Sequence, residues 1–372
     1  MRLFYIQPIL ASYRLQILNA LCSDYDVTVL TDNSHAASSG FCSESKHLAR
    51  SVHARIHSFS NNKFFYQSGI FRYLLTQRPD VVISFANPRF ISYWISLLLC
   101  RVLDIRFYSH GQGLYSYPLP GRLRTMIYLT MVALSTRYIC YTELSRASML
   151  AIGCNPMKLA VADNSVSLTA TVMPNKKNYM ENGVLFVGRL REDCRLELLV
   201  TAIRDLRNIC SSVVLHVIGS GVLADHYKAE YFQDDWILWH GAIHDDARIA
   251  EISLDCRIGC YPGDAGLSVV HMFGLSLPQL VHGSIAEHMG PEPSYVIDGD
   301  NGFLFEKSDA ASDLTTKLKK IWAFESNELK TIGQRAYQTY LSLNNPVLGE
   351  RFLQILAEDE FKQISCDTGY DK

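Results

Sequence analysis

Two glycines in the run Pro262-Gly263-Asp264-Ala265-Gly266-Leu267-Ser268 expose backbone N–H groups between an apolar stretch, Ile258–Tyr261, and a helical pattern, Ser268–Gly274. Amides gathered at a helix N-terminus hold phosphate or pyrophosphate. Ser268 is placed to cap that helix or to donate its hydroxyl to a phosphate. Asp264 does not suit an anion site; a carboxylate accepts hydrogen bonds and fits sugar hydroxyls beside the phosphate. His271, one turn into the helix, can reach a ribose or sugar hydroxyl, or can pack as an ordinary helix histidine.

Further loops carry related chemistry. Gly188-Arg189-Leu190 directly follows the apolar run Val184–Val187. The glycine permits close backbone approach, and the arginine can grip a phosphate through two parallel N–H bonds. Arg195 adds a second cation nearby. His288-Met289-Gly290-Pro291-Glu292 brings in Glu292, a carboxylate suited to ribose or hexose hydroxyls, ahead of the turn Asp300-Asn301-Gly302. In the first half, His110 and Gly111 open the glycine-rich turn His110-Gly111-Gln112-Gly113, and Tyr13 and Arg14 follow Pro8. No Asp-x-Asp pair suited to a metal-bound diphosphate is evident, so no metal is expected.

Most of these loops follow a short apolar run, so the elements that must position them are the strands of parallel sheets, whose carboxyl ends hold ligands. Strands are predicted at Arg2–Gln7, Val27–Leu30, Asp80–Phe85, Arg106–Ser109 and Tyr138–Tyr141. Helices are predicted at Tyr13–Leu21, Tyr66–Gln77, Ser92–Leu103, Arg122–Leu134 and Thr142–Ile152, the last ended by Gly153. Residues 34–48, rich in Ser and His, read as a loop, and 165–182 as an interdomain linker. A second series begins at Gly183, with strands at Val184–Val187, Val213–Ile218, Ile237–His240, Ile258–Tyr261, Gln279–Val281 and Gly302–Phe305. Helices alternate with them at Leu196–Arg207, Ala247–Leu254 and Ser268–Gly274; helices then fill 308–342 and 347–362, leaving a frayed polar tail. The fold class is therefore α/β, two Rossmann-like domains with parallel sheets facing across a cleft. Residues 1–164 form the first domain and 183–345 the second, and the C-terminal helix and tail, 346–372, are expected to pack back on the first.

The bulk properties agree. A chain of 372 residues suits two domains, and 48% apolar with 19% charged residues is an ordinary globular balance. The net charge of −2 hides an asymmetry: residues 1–164 hold 16 Lys and Arg against 8 Asp and Glu, and the remainder 19 against 29. A basic half points to an anionic partner, with nucleic acid, a membrane surface and a phosphorylated acceptor all qualifying. Arg122 and Arg124 precede the apolar helix Met126–Leu134, and Arg101 and Arg106 flank another apolar segment, the make-up of an interfacial site. The 10 cysteines show no CxxC pair or zinc spacing and read as reduced thiols of a cytosolic protein. The N-terminus lacks the features of a signal peptide, and no apolar run is long enough to span a bilayer.

In order and spacing, VLFVGRL, LHVIGSG, the Pro-Gly-Asp-Ala-Gly-Leu loop and GPEPSYVIDGDNGFLF resemble the C-terminal half of family 4 glycosyltransferases, retaining enzymes of the GT-B fold. The resemblance covers residues 183–306 well and the first domain loosely, through the start ending SYR and the SHGQG turn. It implies that Gly188 and Arg189 contact donor phosphate, and that His110 faces the donor sugar. Tyr13, Arg14 and Gly111 lie on the acceptor side. Where the family has a lysine the chain has Cys194, with Arg195 beside it; where it has two glutamates the chain has Gly263 and His271. Phosphate binding through Gly266, Leu267 and Ser268 should survive, while Asp264, His271 and Glu292 are the available substitutes for sugar contacts. The form Pro-Gly-x-x-Gly-Leu-Ser-x-x-His resembles a bacterial surface-polysaccharide branch. The implied reaction moves a hexosyl unit from a nucleoside diphosphate sugar, a co-substrate rather than a cofactor, to a glycan or lipid-linked glycan in O-antigen or exopolysaccharide synthesis. That excludes nucleic acid and places the protein in the cytoplasm, at the inner membrane face if the lipid surface is its anionic partner. Two rivals stand beside it: a sugar-nucleotide 2-epimerase, for which no cluster of acid/base carboxylates is found, and a non-catalytic degenerate transferase subunit, favoured by the missing glutamates.

Overall fold

The computed structural model describes residues 1–32, 34, 49–115 and 120–368; the loop expected at 34–48, apart from Ser34, and the last residues of the tail lie outside them. The chain divides into two compact units, Met1–Asn164 with the segment from Pro346 onward, and Ser165–Asn345.

The first unit runs β1 (Arg2–Ile6), α1 (Leu15–Asp24), β2 (Asp26–Thr31), β3 (Arg50–His53), β4 (Ile56–Phe59), β5 (Phe64–Gln67), α2 (Ile70–Gln77), β6 (Val81–Phe85), α3 (Ile91–Val102), β7 (Arg106–Gly111), α4 (Arg122–Leu134), β8 (Arg137–Cys140), α5 (Glu143–Ala151) and β9 (Leu159–Val161). A parallel seven-stranded sheet has the order β3-β2-β1-β6-β7-β8-β9. Its inner strands β1 and β6 are nearly continuous apolar runs because both faces are covered, while the edge strand β3 is largely exposed. Phe4, Ile6, Val82, Phe107 and Tyr138 pack on one side under α2, α3 and α4. Leu3, Tyr5, Val29 and Ile83 pack on the other, under α1 and the final helix.

The second unit runs β10 (Gly183–Val187), α6 (Leu196–Arg207), β11 (Val214–Ile218), α7 (Ala224–Glu230), β12 (Ile237–Gly241), α8 (Asp246–Leu254), β13 (Cys256–Cys260), α9 (Ser268–Gly274), β14 (Gln279–His282), β15 (Gly302–Phe305), α10 (Ala310–Trp322) and α11 (Ser326–Leu343). Its parallel sheet has the order β12-β11-β10-β13-β14-β15. The chain then returns to the first unit as α12 (Leu348–Thr368), whose Leu348, Phe352, Ile355 and Leu356 complete the core beside α1.

Several sequence expectations change. The helix expected from Tyr66 begins at Ile70, because Phe64–Gln67 pairs antiparallel with Ile56–Phe59 and Gly69, at φ 83°, turns the chain between them. His110 and Gly111 are the last residues of β7, not a turn. The segment 165–182 is no open linker: Val172 and Tyr179 are buried in the cores of the second unit, and Lys177 donates to the carbonyl of Ser253. The tail expected to fray from 363 continues α12 as far as Thr368. Among the described residues, no helix is long and apolar enough to cross a membrane.

Candidate functional site

In the second unit, the loops that leave the carboxyl ends of β10, β11, β13 and β15 surround a cavity of about 810 Å³. Its lining includes Asp193 and Arg195 after β10, Val222 after β11, Gly263 and Asp264 after β13, and Lys307 after β15. These loops touch through glycines. A Cβ on Gly263 would stand 1.9 Å from the carbonyl oxygen of Asp193, and the Asp264 N–H donates to that same oxygen at 3.0 Å. Only a glycine lets the two loops lie this close. Gly188 is held likewise: a Cβ there would meet the Tyr261 ring at 2.6 Å.

The charges are arranged differently from the expectation. Arg195 adopts φ 52° and its Nε lies 2.6 Å from Glu197 Oε1, so this cation is turned into an ion pair. Such an exposed pair is worth only about 0.2–1 kcal/mol, so a ligand anion can exchange for it. Cys194, at the position of the resembled lysine, is fully buried in the core. Arg189 is exposed on the loop after β10. Glu192, Asp193, Glu197, Glu230 and Asp264 make the cavity wall more acidic than a diphosphate alone requires.

Asp264 anchors a polar network. Lys307 Nζ donates to its Oδ1 at 2.8 Å and lies 3.0 Å from Glu287 Oε2, and His282 Nε2 is 3.3 Å from the same Oδ1. Burial raises the Asp264 pKa, but the Lys307 bond and charge, then His282, outweigh it and hold it below the usual carboxylate value. His288 Nδ1 accepts from the Ala265 N–H at 3.0 Å, and its Nε2–H donates to the His282 carbonyl at 2.9 Å. The ring is thereby fixed as one neutral tautomer, and burial first, then His282, push its pKa down to about 3. Asp264, His282 and His288 could offer three ligand atoms to a metal. Both His288 nitrogens are already bonded and Lys307 occupies the carboxylate, so the set does not fit an ion as it stands.

The α9 residues differ in kind. Ser268 Oγ and His271 Nε2 are both buried without a hydrogen-bond partner. Three residues apart, they lie on one face of the helix. Leaving such a group unsatisfied costs about 1–3 kcal/mol. Burial lowers the His271 pKa, partly opposed by Asp246, so the ring is neutral and its bare nitrogen can meet a hydroxyl. Gly266 packs toward Met289, Leu267 is the N-cap residue, and Glu292 is buried in the short turn after Pro291.

In the first unit the expected residues gather at the carboxyl ends of β1, β7 and β8. Arg14 is buried rather than on the surface; its Nη2 donates to the Tyr141 hydroxyl at 2.7 Å and its guanidinium lies 5.0 Å from the Tyr13 and Tyr141 ring centroids. His110 packs edge-on against Phe352 of α12, and neither ring nitrogen has a partner. Burial, then the Arg14 charge, holds it well below the ordinary histidine value. Gly111, placed on the acceptor side by the resemblance, is buried; a Cβ there would stand 2.9 Å from the Tyr138 hydroxyl and 3.0 Å from the Ala86 Cβ. His282, His288 and Lys307 carry much of the network yet escaped selection as site residues. They stand 18 and more residues from Asp264 in sequence, and the available signal was that each closes or follows a strand.

Residues 181–323 match the family described as Glycosyl transferases group 1. No curated protein sequence matches the chain. Among solved structures, Anabaena HepE in complex with UDP is similar at TM-score 0.70 and 12% identity, over 96% of this chain and 100% of that one. A glycosyltransferase from Rickettsia africae is similar at TM-score 0.67 and 13% identity, over 96% and 98% of the two chains. The lipopolysaccharide outer core galactosyltransferase WaaB is similar at TM-score 0.63 and 14% identity, over 96% and 100%. The chain thus has the two-sheet GT-B architecture of these glycosyltransferases, and the stretch that matches the group 1 family falls within its second unit.

Proposed function

We propose that this protein is a retaining hexosyltransferase of the family 4 type, drawing on a nucleoside diphosphate sugar and serving bacterial surface-polysaccharide assembly. The observation that carries the reading is the pair Ser268 Oγ and His271 Nε2, two buried atoms without partners after β13, within the matched domain. Nucleotide or sugar hydroxyls would satisfy both. The UDP complex of HepE supports a uridine donor, and the activity named for WaaB supports a galactosyl or related hexosyl unit and a lipopolysaccharide or lipid-linked glycan acceptor.

In this reading Arg189 and the backbone of the Gly263–Ser268 loop receive the negative charge that grows on the leaving diphosphate. Donors fixed in advance lower that barrier without reorganising. The bond from the sugar's anomeric carbon to the diphosphate breaks and a bond to the acceptor oxygen forms on the same face. The acceptor proton passes to the departing phosphate, so no protein base and no cofactor are required. Asp264, held ionised by Lys307, accepts from sugar hydroxyls.

Thermal shift against a panel of nucleoside diphosphates tests the donor site. At a hundredfold excess over Kd, the matching nucleotide should stabilise by about 2.7 kcal/mol. A purified protein that no nucleotide stabilises sinks the reading. Stabilisation without transfer to any glycan acceptor leaves a non-catalytic binding subunit, to which the absent glutamates at Gly263 and His271 also point.

A further inference from the structure

The cations around the loops after β10, β13 and β15 differ in what already neutralises them. Lys307 sits between Asp264 at 2.8 Å and Glu287 at 3.0 Å, and Arg195 is 2.6 Å from Glu197. Arg191 is held otherwise. Its Nη2 donates to the sulfur of Met289, and its ion-pair partner Asp193 is 3.8 Å from its Nε, beyond hydrogen-bond reach. That Nε is buried and has no hydrogen-bond partner. A thioether is a weak acceptor, so the guanidinium is poorly satisfied along this edge.

The position follows from the chain. Leu190 is buried in the core, and Arg191, extended at φ −144°, carries its side chain the opposite way. The guanidinium thereby leaves the loop after β10 and reaches Met289, in the loop after β14. The Met289 N–H donates to the carbonyl of Ala265 at 3.2 Å, and a Cβ on Gly266 would stand 3.8 Å from the Met289 Cε. Met289 therefore lies over the Ala265–Gly266 backbone, and Arg191 ends at the same place. Burial and then Cys194 raise the Tyr261 pKa, and the charge of Arg191 opposes them, which sets that charge beside the residue that follows β13.

Resting on the transferase reading above, we propose that Arg191, rather than Arg195, joins Arg189 in holding the donor's diphosphate, with Met289 as the displaceable cover of its binding edge. Nε–H and Nη2–H form one edge of the guanidinium, the edge that grips two oxygens of a phosphate side by side. One of these donors has no partner and the other has only sulfur. A phosphate satisfies both in place of the thioether, and the unbranched Met289 side chain can turn aside without moving backbone. The absent lysine is thereby answered within the same loop: Cys194 is buried in the core, and Arg191 supplies the charge.

Titration calorimetry of the full chain with ADP, CDP, GDP, UDP and dTDP identifies the diphosphate that binds, and the variants are compared on it. Arg191→Ala should weaken it by about tenfold to a hundredfold, the usual worth of hydrogen bonds to a charged group. The affinity that remains should fall less steeply with salt, because one of the screened charges is gone. Arg191→Lys should recover only part of the loss, since an ammonium cannot make the two parallel bonds. Arg195→Ala should cost less than Arg191→Ala, and Met289→Leu should not weaken binding. If Arg191→Ala proves misfolded, Arg191→Gln makes the same measurement at nearly the same length. A wild-type chain that binds no diphosphate removes the transferase reading and this assignment with it. A wild-type chain that binds, with Arg191→Ala binding equally well or keeping the full salt response, overturns the assignment alone. So does a larger loss at Arg195 than at Arg191.

Discussion

The imidazole rings of His282 and His288 lie face to face, their centroids 3.6 Å apart and their planes 6° from parallel. Two stacked rings at this distance cannot both carry charge, and the pKa of each is lowered. His288 is tied on both sides to backbone, linking the loop after β13 to the end of β14. The stack fixes where Asp264 stands, because His282 holds that carboxylate from beneath.

A pH dependence follows from the depressed histidines. An unfolded chain takes up a proton near pH 6.5, whereas folded His288 refuses it until about 3. Its contribution to stability is complete above about pH 6.5 and is lost as pH falls toward 3, by roughly 1 kcal/mol per pH unit. Melting temperature measured from about pH 7 down to pH 5 should therefore drop, and less steeply in a His288→Leu variant. A flat profile for the wild-type protein contradicts the assignment.

Gly263→Ala should destabilise the protein by about 1–3 kcal/mol, the usual range for overpacking. The new methyl would meet the Asp193 carbonyl and push apart the loops after β10 and β13. Denaturant unfolding measures the loss, and nucleotide affinity should fall with it. A variant as stable as wild type would mean that the loops do not lie in contact.

Arg189→Ala should cut sugar transfer by about two orders of magnitude, as loss of one preorganised transition-state donor does elsewhere. Its exposed position predicts an unchanged melting temperature. Steady-state turnover decides it, and near-wild-type activity removes Arg189 from the diphosphate site.

His271→Ala should leave unfolding stability within about 1 kcal/mol of wild type by denaturant titration, because the nitrogen removed has no partner to lose. Donor affinity should fall, as read by titration calorimetry with the nucleotide found to bind. Unfolding of the variant at unaltered affinity would return His271 to the core.

Much of the frame was legible because it is written in buried apolar runs. Val81–Phe85 and Gly183–Val187 have no other reasonable reading, and the helix Leu196–Arg207 matches its observed bounds. What escaped has little apolar signal. The strands Arg50–His53 and Ile56–Phe59 are largely exposed, and α7 buries only Tyr227. The loop glycines and Arg189 could be found from their places after strands. The partners of Asp264 could not, since Lys307 meets it only once β13 and β15 lie in one sheet. Nor could the burial of Arg14 be read, since the Tyr141 hydroxyl and ring that enclose it come from 127 residues away.

The return of α12 makes the second unit an insertion within the first. Ser167 Oγ and Asn344 Oδ1, at its two ends, are 2.9 Å apart, so the chain enters and leaves at one point. During synthesis Ser165–Asn345 can close its core while the first unit still lacks Phe352 and Leu356, which only α12 supplies. The residues of the second unit's core are therefore all synthesised before those of the first unit's core are complete. Released alone, 165–345 should fold, whereas 1–164 without α12 should leave the apolar face beside α1 uncovered.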